Sequence, residues 1–288
     1  MTSTFTEKYG PWAFIAGASM GIGRALSMEA AARGLNVVMN ARGAETLAAT
    51  AAEVRAKHGV EVRELAADLT DPTIGEIVAA ATDDLEVGLF VYNATVAPIG
   101  LFLTHPLELQ LKSVQANCAT PLILLNLFAP TMVARGRGGI SLVSSTGGTQ
   151  GAVTSATYNA GKAFEWILAE SLWGELGDHG VDVTAMLVGA TSSDNYNAFK
   201  DTLDPELCRR PDSEDLLDRM RAGLMNPAEP EHVATSLYDG LPNGPVTWTK
   251  PLDEWITTKS LSLARGEVTN TWRALMETST RPPEKQAR

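Results

Sequence analysis

The sequence predicts an α/β fold in which a parallel sheet of about seven strands is covered by helices on both faces. Three observations support this prediction. Short apolar runs alternate with longer amphipathic segments, the runs are rich in β-branched residues without a regular polar alternation, and the first run leads directly into a glycine-rich turn. Buried parallel strands have this continuous apolar character, and strand–helix alternation implies right-handed crossovers. The sequence therefore indicates a doubly wound sheet.

Six apolar runs are predicted to be strands because each is short and bounded by polar or glycine residues. They are Trp12–Ala16, Asn36–Asn40, Val60–Ala66, Val87–Tyr92, Gly139–Ser144 and Val181–Val188. The segments between them have apolar residues at helical spacing, which predicts helices at about 21–34, 44–58, 72–83, 106–135 and 155–179.

The regular alternation ends after Gly189. Residues 190–228 mix polar, charged and apolar residues with three prolines, and a long irregular insertion of this kind is usually functional, often a lid. A short helix (Pro230–Leu241) and a seventh strand (Pro245–Trp248) should follow, and the tail has the pattern of two more helices. We therefore expect a catalytic domain over residues 1–250 that includes the lid, with 251–288 as a helical extension of the same domain.

Composition limits the classes of function. The net charge of the 288-residue chain is −11, which argues against nucleic acid or an anionic membrane as the main partner. The two cysteines, Cys118 and Cys208, are far apart, so a reducing compartment is expected. The N-terminus lacks the apolar core of a secretory signal, and no apolar run approaches the roughly 20 residues that cross a bilayer. We expect a cytoplasmic protein without a membrane span or a bound metal.

The glycine-rich turn indicates a dinucleotide site. It runs Gly17-Ala-Ser19-Met20-Gly21-Ile22-Gly23, between the first strand and the first long helix. Glycines at such a turn let the backbone approach a pyrophosphate, and the helix N-terminus offers free N–H groups and a positive dipole. The alternative is a tight turn whose glycines serve packing only. The position of the motif favours the cofactor site and a single-domain Rossmann-type fold.

Tyr158 and Lys162 lie one helical turn apart, in the segment Tyr158-Asn-Ala-Gly-Lys162. Residues at i and i+4 share one helix face. A free tyrosine ionises near pH 10, but a neighbouring positive charge favours the phenolate, so the pair is a usable acid/base couple. Taken alone, the pair is equally compatible with a surface tyrosine beside a solvated lysine.

Together these motifs make the chain resemble the short-chain dehydrogenase/reductase family over roughly residues 10–245. Asn93-Ala94 follows the fourth strand, Asn117 lies in the next helix, and Ser145 stands thirteen residues before Tyr158, as the family pattern requires. The chain departs from the family pattern at Ala16 (threonine in the family), Tyr92 (asparagine), Thr95 (glycine), Val188 (proline) and Ser193 (threonine). Four stretches resemble bacterial 7β-hydroxysteroid dehydrogenases within the family. They are Glu7-Lys-Tyr-Gly-Pro-Trp12, Gly34-Leu-Asn-Val-Val-Met39, Tyr158-Asn-Ala-Gly-Lys-Ala-Phe164 and Leu187-Val-Gly-Ala-Thr191.

The resemblance implies four catalytic residues. Tyr158 would exchange a proton with the substrate oxygen, and Ser145 would hold and stabilise that oxygen. Lys162 would assist the tyrosine and bind the nicotinamide ribose, and Asn117 would hold a water that links Lys162 to solvent.

The resemblance also implies which residues bind the cofactor. Besides the glycine turn, Tyr158 and Lys162, they are Arg42, Asp68, Leu69, Asn93, Ala94, Thr191 and Ser193. NAD-dependent relatives place an acidic residue at the end of the second strand, where this chain has Ala41 and then Arg42. A guanidinium there suits a 2′-phosphate, so NADP is the preferred cofactor and NAD a possible one. Asp68 has a helix-capping role as its alternative.

A bulky hydrophobic ketone or alcohol is the expected substrate, bound by Val96, Val153, Tyr196 and Phe199, whose alternative role is core packing. Hydroxysteroids fit this description, and so do 3-oxoacyl, aromatic or polyketide ketones. A different class stays open, namely a non-catalytic NADP-sensing protein on the same scaffold. Relatives pair through the helices that correspond to 106–135 and 155–179, so a homodimer or homotetramer is expected, with Trp166 and Trp173 as candidate interface residues.

Overall fold

A seven-stranded parallel sheet forms the centre of the computed structural model, which describes residues 4–193, 196–197, 200–201, 203–206, 208 and 213–278. Its spatial order is β3-β2-β1-β4-β5-β6-β7, and every neighbouring pair is parallel. The strands are β1 (Trp12–Ala16), β2 (Asn36–Ala41), β3 (Val62–Ala66), β4 (Val87–Tyr92), β5 (Gly138–Ser145), β6 (Val181–Val188) and β7 (Val246–Trp248). The predicted fold class is confirmed.

Helices cover both faces of the sheet. In the described residues they are α1 (Phe5–Tyr9), α2 (Gly21–Ala32), α3 (Ala44–His58), α4 (Ile74–Thr82), α5 (Leu107–Val114), α6 (Thr120–Arg135), α7 (Ala156–Leu176), α8 (Leu216–Met225), α9 (Pro230–Gly240), α10 (Pro251–Ser262) and α11 (Arg265–Thr278). One apolar core lies between the sheet and α2, α3 and α9, and a second lies between the sheet and α4, α6 and α7. Because both faces are covered, most strands are apolar throughout.

Two sequence predictions about these elements need correction. The run Val60–Ala66 was expected to be a buried strand, but β3 is the edge of the sheet and its residues are half-buried or exposed. The segment 106–135 was expected to be one helix. It is instead α5 and α6 joined by a π-helical turn, Gln115–Ala119. Gly136 takes the left-handed conformation (φ 68°) that ends α6.

The segment 190–228 is more regular than its composition predicted, because α8 lies within it. Leu216 and Met220 of α8 form a third apolar cluster with Ile256 of α10 and Leu275 of α11. The tail therefore forms the two predicted helices, and they pack against the insertion. The division into a domain over 1–250 and an extension over 251–288 stays a prediction.

The stretch Leu107–Arg135 corrects one observation behind the prediction of no membrane span, namely that no apolar run approaches the required length. Its 29 residues are long and apolar enough to cross a bilayer by length and composition. In the structure, however, Leu124, Leu125, Phe128 and Met132 of this stretch are buried against the sheet. The apolar character is thus used in the core of the domain.

The strand order places a crevice at one edge of the sheet. β1 pairs with β2 on one side and with β4 on the other. The chain therefore adds strands in one direction from β1 to β3 and in the opposite direction from β4 onward, and the switch point lies between β1 and β4. In doubly wound sheets, ligands bind at the carboxyl ends of the strands at this switch point. The glycine turn follows β1 and Asn93 follows β4, so both lie at this crevice.

Candidate active site

The glycine turn is packed too closely for side chains. Gly17 has φ +76°, and an ideal Cβ there would lie 2.9 Å from the Cα of Ala94. A Cβ on Gly23 would lie 1.7 Å from the carbonyl oxygen of Gly17. The Asn93 side chain donates from Nδ2 to the same oxygen at 3.1 Å and so joins the end of β4 to the turn. The turn therefore exposes backbone at the N-terminus of α2, as a pyrophosphate site requires.

A cavity of about 840 Å³ opens beside this turn. Its lining residues are Gly17, Ser19, Met20, Asn40, Ala41, Arg42, Gly43, Thr46, Ala67, Asp68, Leu69, Asn93, Ala94, Thr95, Val96 and Ala116. Most of the residues predicted to bind the adenosine half of the cofactor are among them. A side-chain-free turn, a helix N-terminus and an adjoining cavity together fit a dinucleotide.

The two charged residues that line this cavity, Arg42 and Asp68, differ in whether their side chains already bind other protein groups. Arg42 is exposed at the end of β2 and lines the cavity. Asp68 Oδ1 accepts hydrogen bonds from the backbone N–H and the hydroxyl of Thr70, both at 2.9 Å, so the carboxylate also stabilises its own turn. Asp68 lines the cavity, so a cofactor contact is compatible with its position. The helix-capping alternative is wrong, because the N-cap of α4 is Thr73.

Asn40 is a wall residue of this cavity that the sequence analysis did not single out. Its Nδ2 donates to the carbonyl oxygens of Leu65 (3.0 Å) and Ala67 (3.2 Å) across the gap to β3. Its Oδ1 is buried without a hydrogen-bond partner in the described residues. A strand residue at a crevice is not distinguishable by sequence pattern from any other buried amide.

A second cavity, of about 300 Å³, brings three of the four predicted catalytic residues together, namely Ser145, Tyr158 and Lys162. It is lined by Gly21, Ile22, Asn93, Thr95, Val143, Ser144, Ser145, Tyr158, Lys162, Val188, Gly189, Thr191, Ser192 and Ser193. Asn93 and Thr95 line both cavities, so the two adjoin. Ser145 comes from the end of β5, Tyr158 and Lys162 from α7, and Thr191 and Ser193 from the segment after β6.

The hydroxyl of Ser145 is oriented by the turn that follows it. Ser145 caps the 3-10 turn Thr146–Thr149, and its Oγ accepts from the backbone N–H of Gly147 at 3.1 Å. Because the oxygen is the acceptor in this bond, its own proton is free to donate. Ser145 can therefore donate a hydrogen bond to an oxygen atom in the cavity.

Lys162 is buried, and its ammonium group contacts the protein below the cavity. Nζ donates to the carbonyl oxygen of Val143 at 2.7 Å and to the Glu165 carboxylate at 2.8 Å. An ammonium group has three donors, so one is left for a ligand. Glu165 was missed by the sequence analysis. The available signal was an acidic residue within the apolar run Phe164-Glu-Trp-Ile-Leu168, on the helix face of Lys162.

Asn117 does not line either cavity but lies in the π-helical turn beside them. Its Oδ1 accepts from the Val96 N–H (3.0 Å) and the Thr95 hydroxyl (3.2 Å). Its Nδ2 donates to the Val96 carbonyl (2.9 Å) and the Ser113 hydroxyl (3.1 Å). These bonds use both donors and both acceptor sites of the amide. The side chain is thus fully engaged in holding the loop after β4, and the water expected at Asn117 stays a prediction.

Helix α7 approaches this turn closely. An ideal Cβ on Gly161 would lie 2.7 Å from Cβ of Asn117. Glycine before Lys162 thus lets the catalytic helix and the π-helical turn touch.

The four residues predicted to bind substrate have separate positions. Val96 lines the larger cavity, and Val153 is half-buried in the loop before α7. The hydroxyl of Tyr196 donates to the Leu224 carbonyl of α8 at 2.5 Å. Phe199 lies outside the described residues. Of the three described residues, Val96 alone lines either of the two cavities, and the substrate role of the set stays a prediction.

A hydrogen bond joins two loops that adjoin residues of the smaller cavity in sequence, one following Thr95 and the other preceding Tyr158. The N–H of Gly100 donates to the carbonyl oxygen of Thr154 at 2.7 Å. This bond links the loop after β4 to the loop before α7, and Thr154 adopts an uncommon positive φ of 71° there. Ile99, Leu101 and Phe102 next to this bond are exposed.

The C-terminal helices also reach the site. An ideal Cβ on Gly189 would lie 2.1 Å from Oδ1 of Asp253, a buried residue of α10. Burial raises the pKa of Asp253 to about 6. Arg265 at the start of α11 donates to the carbonyl oxygen of Thr149 at 3.0 Å. The role of the tail, which the sequence left open, includes packing against two segments that follow β5 and β6.

Comparison with known proteins places this geometry in context. A family model described as short chain dehydrogenase matches residues 11–204. The 7beta-hydroxysteroid dehydrogenase of Collinsella aerofaciens is 36% identical over 185 residues, which are 64% of this chain and 70% of that protein. The very-long-chain 3-oxoacyl-CoA reductase of Aspergillus clavatus is 35% identical over 179 residues, 60% of this chain and 52% of that protein.

Two solved structures are similar over nearly the whole chain. One, from work on 7beta-hydroxysteroid dehydrogenase stereoselectivity, has a TM-score of 0.83 at 26% identity and covers 96% of this chain and 100% of its own. A short-chain dehydrogenase from Sphingobium yanoikuyae in complex with NADPH has a TM-score of 0.70 at 26% identity, over 95% and 98%.

Proposed function

Since the chain belongs to the short-chain dehydrogenase/reductase family, we propose that it interconverts a ketone and a secondary alcohol on a bulky, hydroxysteroid-like substrate with NADP(H). Family membership makes the protein an oxidoreductase that acts on CH–OH groups with a nicotinamide cofactor. The substrate, the preference for NADP and the roles of individual residues are the proposal.

One observation carries the proposal. Ser145, Tyr158 and Lys162 line the same cavity as Gly21 and Ile22 of the cofactor turn. This shared cavity supports a site in which two hydroxyl groups and a cation would face the nicotinamide end of a cofactor bound at the turn. A structural role for each hydroxyl would not require this convergence.

The residues divide the chemistry as follows. The nicotinamide, when bound, supplies a hydride to the carbonyl carbon or accepts one from the alcohol. Tyr158 donates its proton to the substrate oxygen in reduction and removes it in oxidation. The Ser145 hydroxyl donates a hydrogen bond to that oxygen and stabilises the charge that develops on it.

Lys162 and Asn117 support this step. Lys162 lines the smaller cavity and its ammonium has one donor left, which would bind the ribose hydroxyls, while its positive charge would assist proton exchange at Tyr158. Asn117 is a positioning residue, because three of its four hydrogen bonds hold Thr95 and Val96, and Thr95 lines both cavities.

Arg42 is the basis of the NADP preference. It is exposed in the wall of the larger cavity, and the end of β2 carries no acidic residue that would repel a phosphate. Charge-assisted bonds to phosphate are worth about 1.5–3 kcal/mol.

Arg42→Ala is accordingly expected to weaken NADPH binding by about tenfold and to change NADH binding by less than about twofold. Fluorescence titration of both cofactors measures this difference. Lys57→Ala, which removes an exposed cation of α3 outside both cavities, is the control and should leave both affinities unchanged. An equal loss for NADPH and NADH would contradict the 2′-phosphate assignment.

The substrate class rests on exposed apolar side chains beside the joined loops. Ile99 and Leu101 are each 60% exposed and Phe102 is 54% exposed, although large apolar residues usually avoid water. A bulky apolar substrate bound at the cavity would cover them. An acyl chain would do the same, which keeps a 3-oxoacyl reductase as the second candidate, in line with the similarity to the Aspergillus clavatus protein.

A panel of steroid, acyl-thioester and aromatic ketones, assayed by NADPH oxidation, tests the proposal. A ring-system ketone should be reduced at least about tenfold faster with NADPH than with NADH at equal concentration. Faster reduction of acyl thioesters would favour the second candidate. NADPH binding without turnover of any ketone, or of the matching alcohols with NADP, would favour the non-catalytic sensor instead.

We also propose a homodimer or homotetramer formed through α5, α6 and α7. Leu107, Leu111 and Ile167 on these helices are more than half exposed. Trp173 is partly exposed and suits such an interface, whereas Trp166 packs into the core and donates to Glu170 at 2.8 Å.

A further inference from the structure

Glu165 is a buried carboxylate directly below the catalytic pair. It lies three residues after Lys162 on α7, and its side chain is 0% exposed. Taking an ionised carboxylate out of water is costly unless a partner compensates its charge. A buried glutamate at this position is therefore expected to have a compensating partner. Glu165 has no role in the proton and hydride transfer proposed for Tyr158, Ser145 and the cofactor.

The partner is the Lys162 ammonium. Nζ and Oε2 are 2.8 Å apart, and both side chains are almost completely buried. The second carboxylate oxygen, Oε1, is buried with no hydrogen-bond partner among the described residues. Lys162 also donates to the Val143 carbonyl at 2.7 Å. The Val143 carbonyl and the Glu165 carboxylate thus both hold the ammonium group on the side away from the cavity, and the carboxylate carries a negative charge when ionised.

The other ionisable groups that face Glu165 are neutral. Tyr92 of β4 and Cys118 of the π-helical turn both have a pKa raised by burial and then by the negative charge of Glu165. The Tyr92 hydroxyl donates to the Ala116 carbonyl and not to the carboxylate. Lys162 is therefore the positive charge that balances Glu165. Burial raises the pKa of Glu165 itself to about 7, against the opposing effect of Lys162.

We propose that Glu165 is a positioning residue, a buried counter-ion that holds the Lys162 ammonium below the cavity and sets the pH at which Tyr158 exchanges its proton. The inference rests on the proposed role of Tyr158 and Lys162 as an acid/base pair. It assigns the pair a third member, which acts through Lys162 and does not touch the substrate.

The sign of the effect follows from charge. An ionised Glu165 offsets part of the positive field of Lys162 at the Tyr158 oxygen. Glu165→Gln keeps the shape and an acceptor for Nζ but removes the negative charge. The unbalanced ammonium then favours the phenolate, so the Tyr158-dependent ionisation should move to lower pH, by on the order of one pH unit.

Ultraviolet titration of the phenolate tests this directly in the full-length protein. The pH-dependent absorbance of the wild-type protein is measured against that of Tyr158→Phe, and the difference reports the ionisation of Tyr158. The absorbance of Glu165→Gln is measured in the same way against that of the double variant Glu165→Gln/Tyr158→Phe. The chain has five tyrosines, and the other four have a pKa raised by burial, so their ionisation falls at high pH. The pH profile of kcat/KM for alcohol oxidation should shift in the same direction.

Glu175→Gln is the matched control, since it removes an exposed carboxylate from the end of the same helix and should leave the midpoint unchanged. Glu165→Asp retains the charge and should keep the midpoint within about 0.3 units of wild type. Glu165→Met is a second uncharged variant, and its midpoint should move as that of Gln does. Equal midpoints in wild type and both uncharged variants would overturn the inference, and so would a shift in Asp as large as in Gln.

The titration needs no turnover, so it separates two failures. Absence of ketone reduction by the wild-type protein would contradict the proposed function and leave the titration to decide the charge coupling. Normal ketone reduction by the wild-type protein, together with equal phenolate midpoints in wild type and the uncharged Glu165 variants, would contradict only the role of Glu165.

Discussion

A Tyr158→Phe variant is expected to lose turnover by about a thousandfold while binding the nicotinamide cofactor with wild-type affinity. The substitution removes only the hydroxyl that would move the proton. It keeps the ring that lines the smaller cavity beside Ser145 and Lys162. A positioned acid or base contributes about 10²- to 10⁴-fold to rate, so the loss should dominate kcat. NADPH oxidation with the best ketone and NADPH binding by fluorescence titration measure the two quantities.

Tyr238→Phe provides the control for this variant. Its hydroxyl donates to the Leu26 carbonyl at 3.0 Å in the core against α2, and neither cavity includes it. Its removal should cost about 1 kcal/mol of unfolding free energy and change kcat by less than about twofold. Retention of more than about a tenth of wild-type kcat by Tyr158→Phe would show that another group transfers the proton.

The parts of the site that sequence could predict depend on local spacing. The glycine turn is defined by its place between β1 and α2, and the Tyr158/Lys162 pair by one turn of α7. The alternation of strands and helices gives a parallel sheet covered on both faces, whereas the order of its strands does not follow from handedness alone. For this reason the fold class, the turn and the elements carrying Ser145 and Tyr158 were all predictable from short stretches.

The surroundings of Asn117 could not be predicted in the same way. Apolar spacing over 106–135 is helical throughout, and nothing in it indicates the π-helical turn Gln115–Ala119. The turn is set by tertiary contacts, namely the bonds of Asn117 to Thr95 and Val96 and the close approach of Gly161. Thr95, Val96 and Gly161 lie on other elements of the fold. The sequence pattern therefore identified Asn117 as a candidate site residue but did not predict its contacts.

Burial of charge was the other property that sequence could not supply. Glu165 and Asp253 both resemble ordinary polar positions on amphipathic helices, yet both are buried. Glu165 is buried because Lys162 lies beside it, and Asp253 because α10 packs against Gly189. The edge position of β3 was also not predictable from the sequence, since the exposure of a strand depends on whether other strands pair with both of its edges.

The cofactor turn gives the second large effect, because Gly23→Ala should abolish measurable NADPH binding. An ideal Cβ on Gly23 would lie 1.7 Å from the carbonyl oxygen and 2.7 Å from the carbonyl carbon of Gly17. Non-bonded atoms cannot approach so closely, and the obstacle is backbone, which cannot rotate away as a side chain can. The turn or the start of α2 must therefore shift by more than 1 Å, and the N–H groups that would bind the pyrophosphate move with it.

Two measurements separate loss of the cofactor site from loss of the fold. Overpacking typically costs about 1–3 kcal/mol of stability, so Gly23→Ala should unfold at lower temperature but still cooperatively, while its NADPH affinity falls at least about a hundredfold. Gly43→Ala is the matched control, because Gly43 lines the same larger cavity with φ −82° and its Cβ would meet only the Thr46 hydroxyl, at 3.8 Å. It should bind NADPH within about threefold of wild type. Similar NADPH affinities for Gly23→Ala and Gly43→Ala would mean that the cofactor does not depend on the backbone at this turn, and the dinucleotide site would have to lie elsewhere.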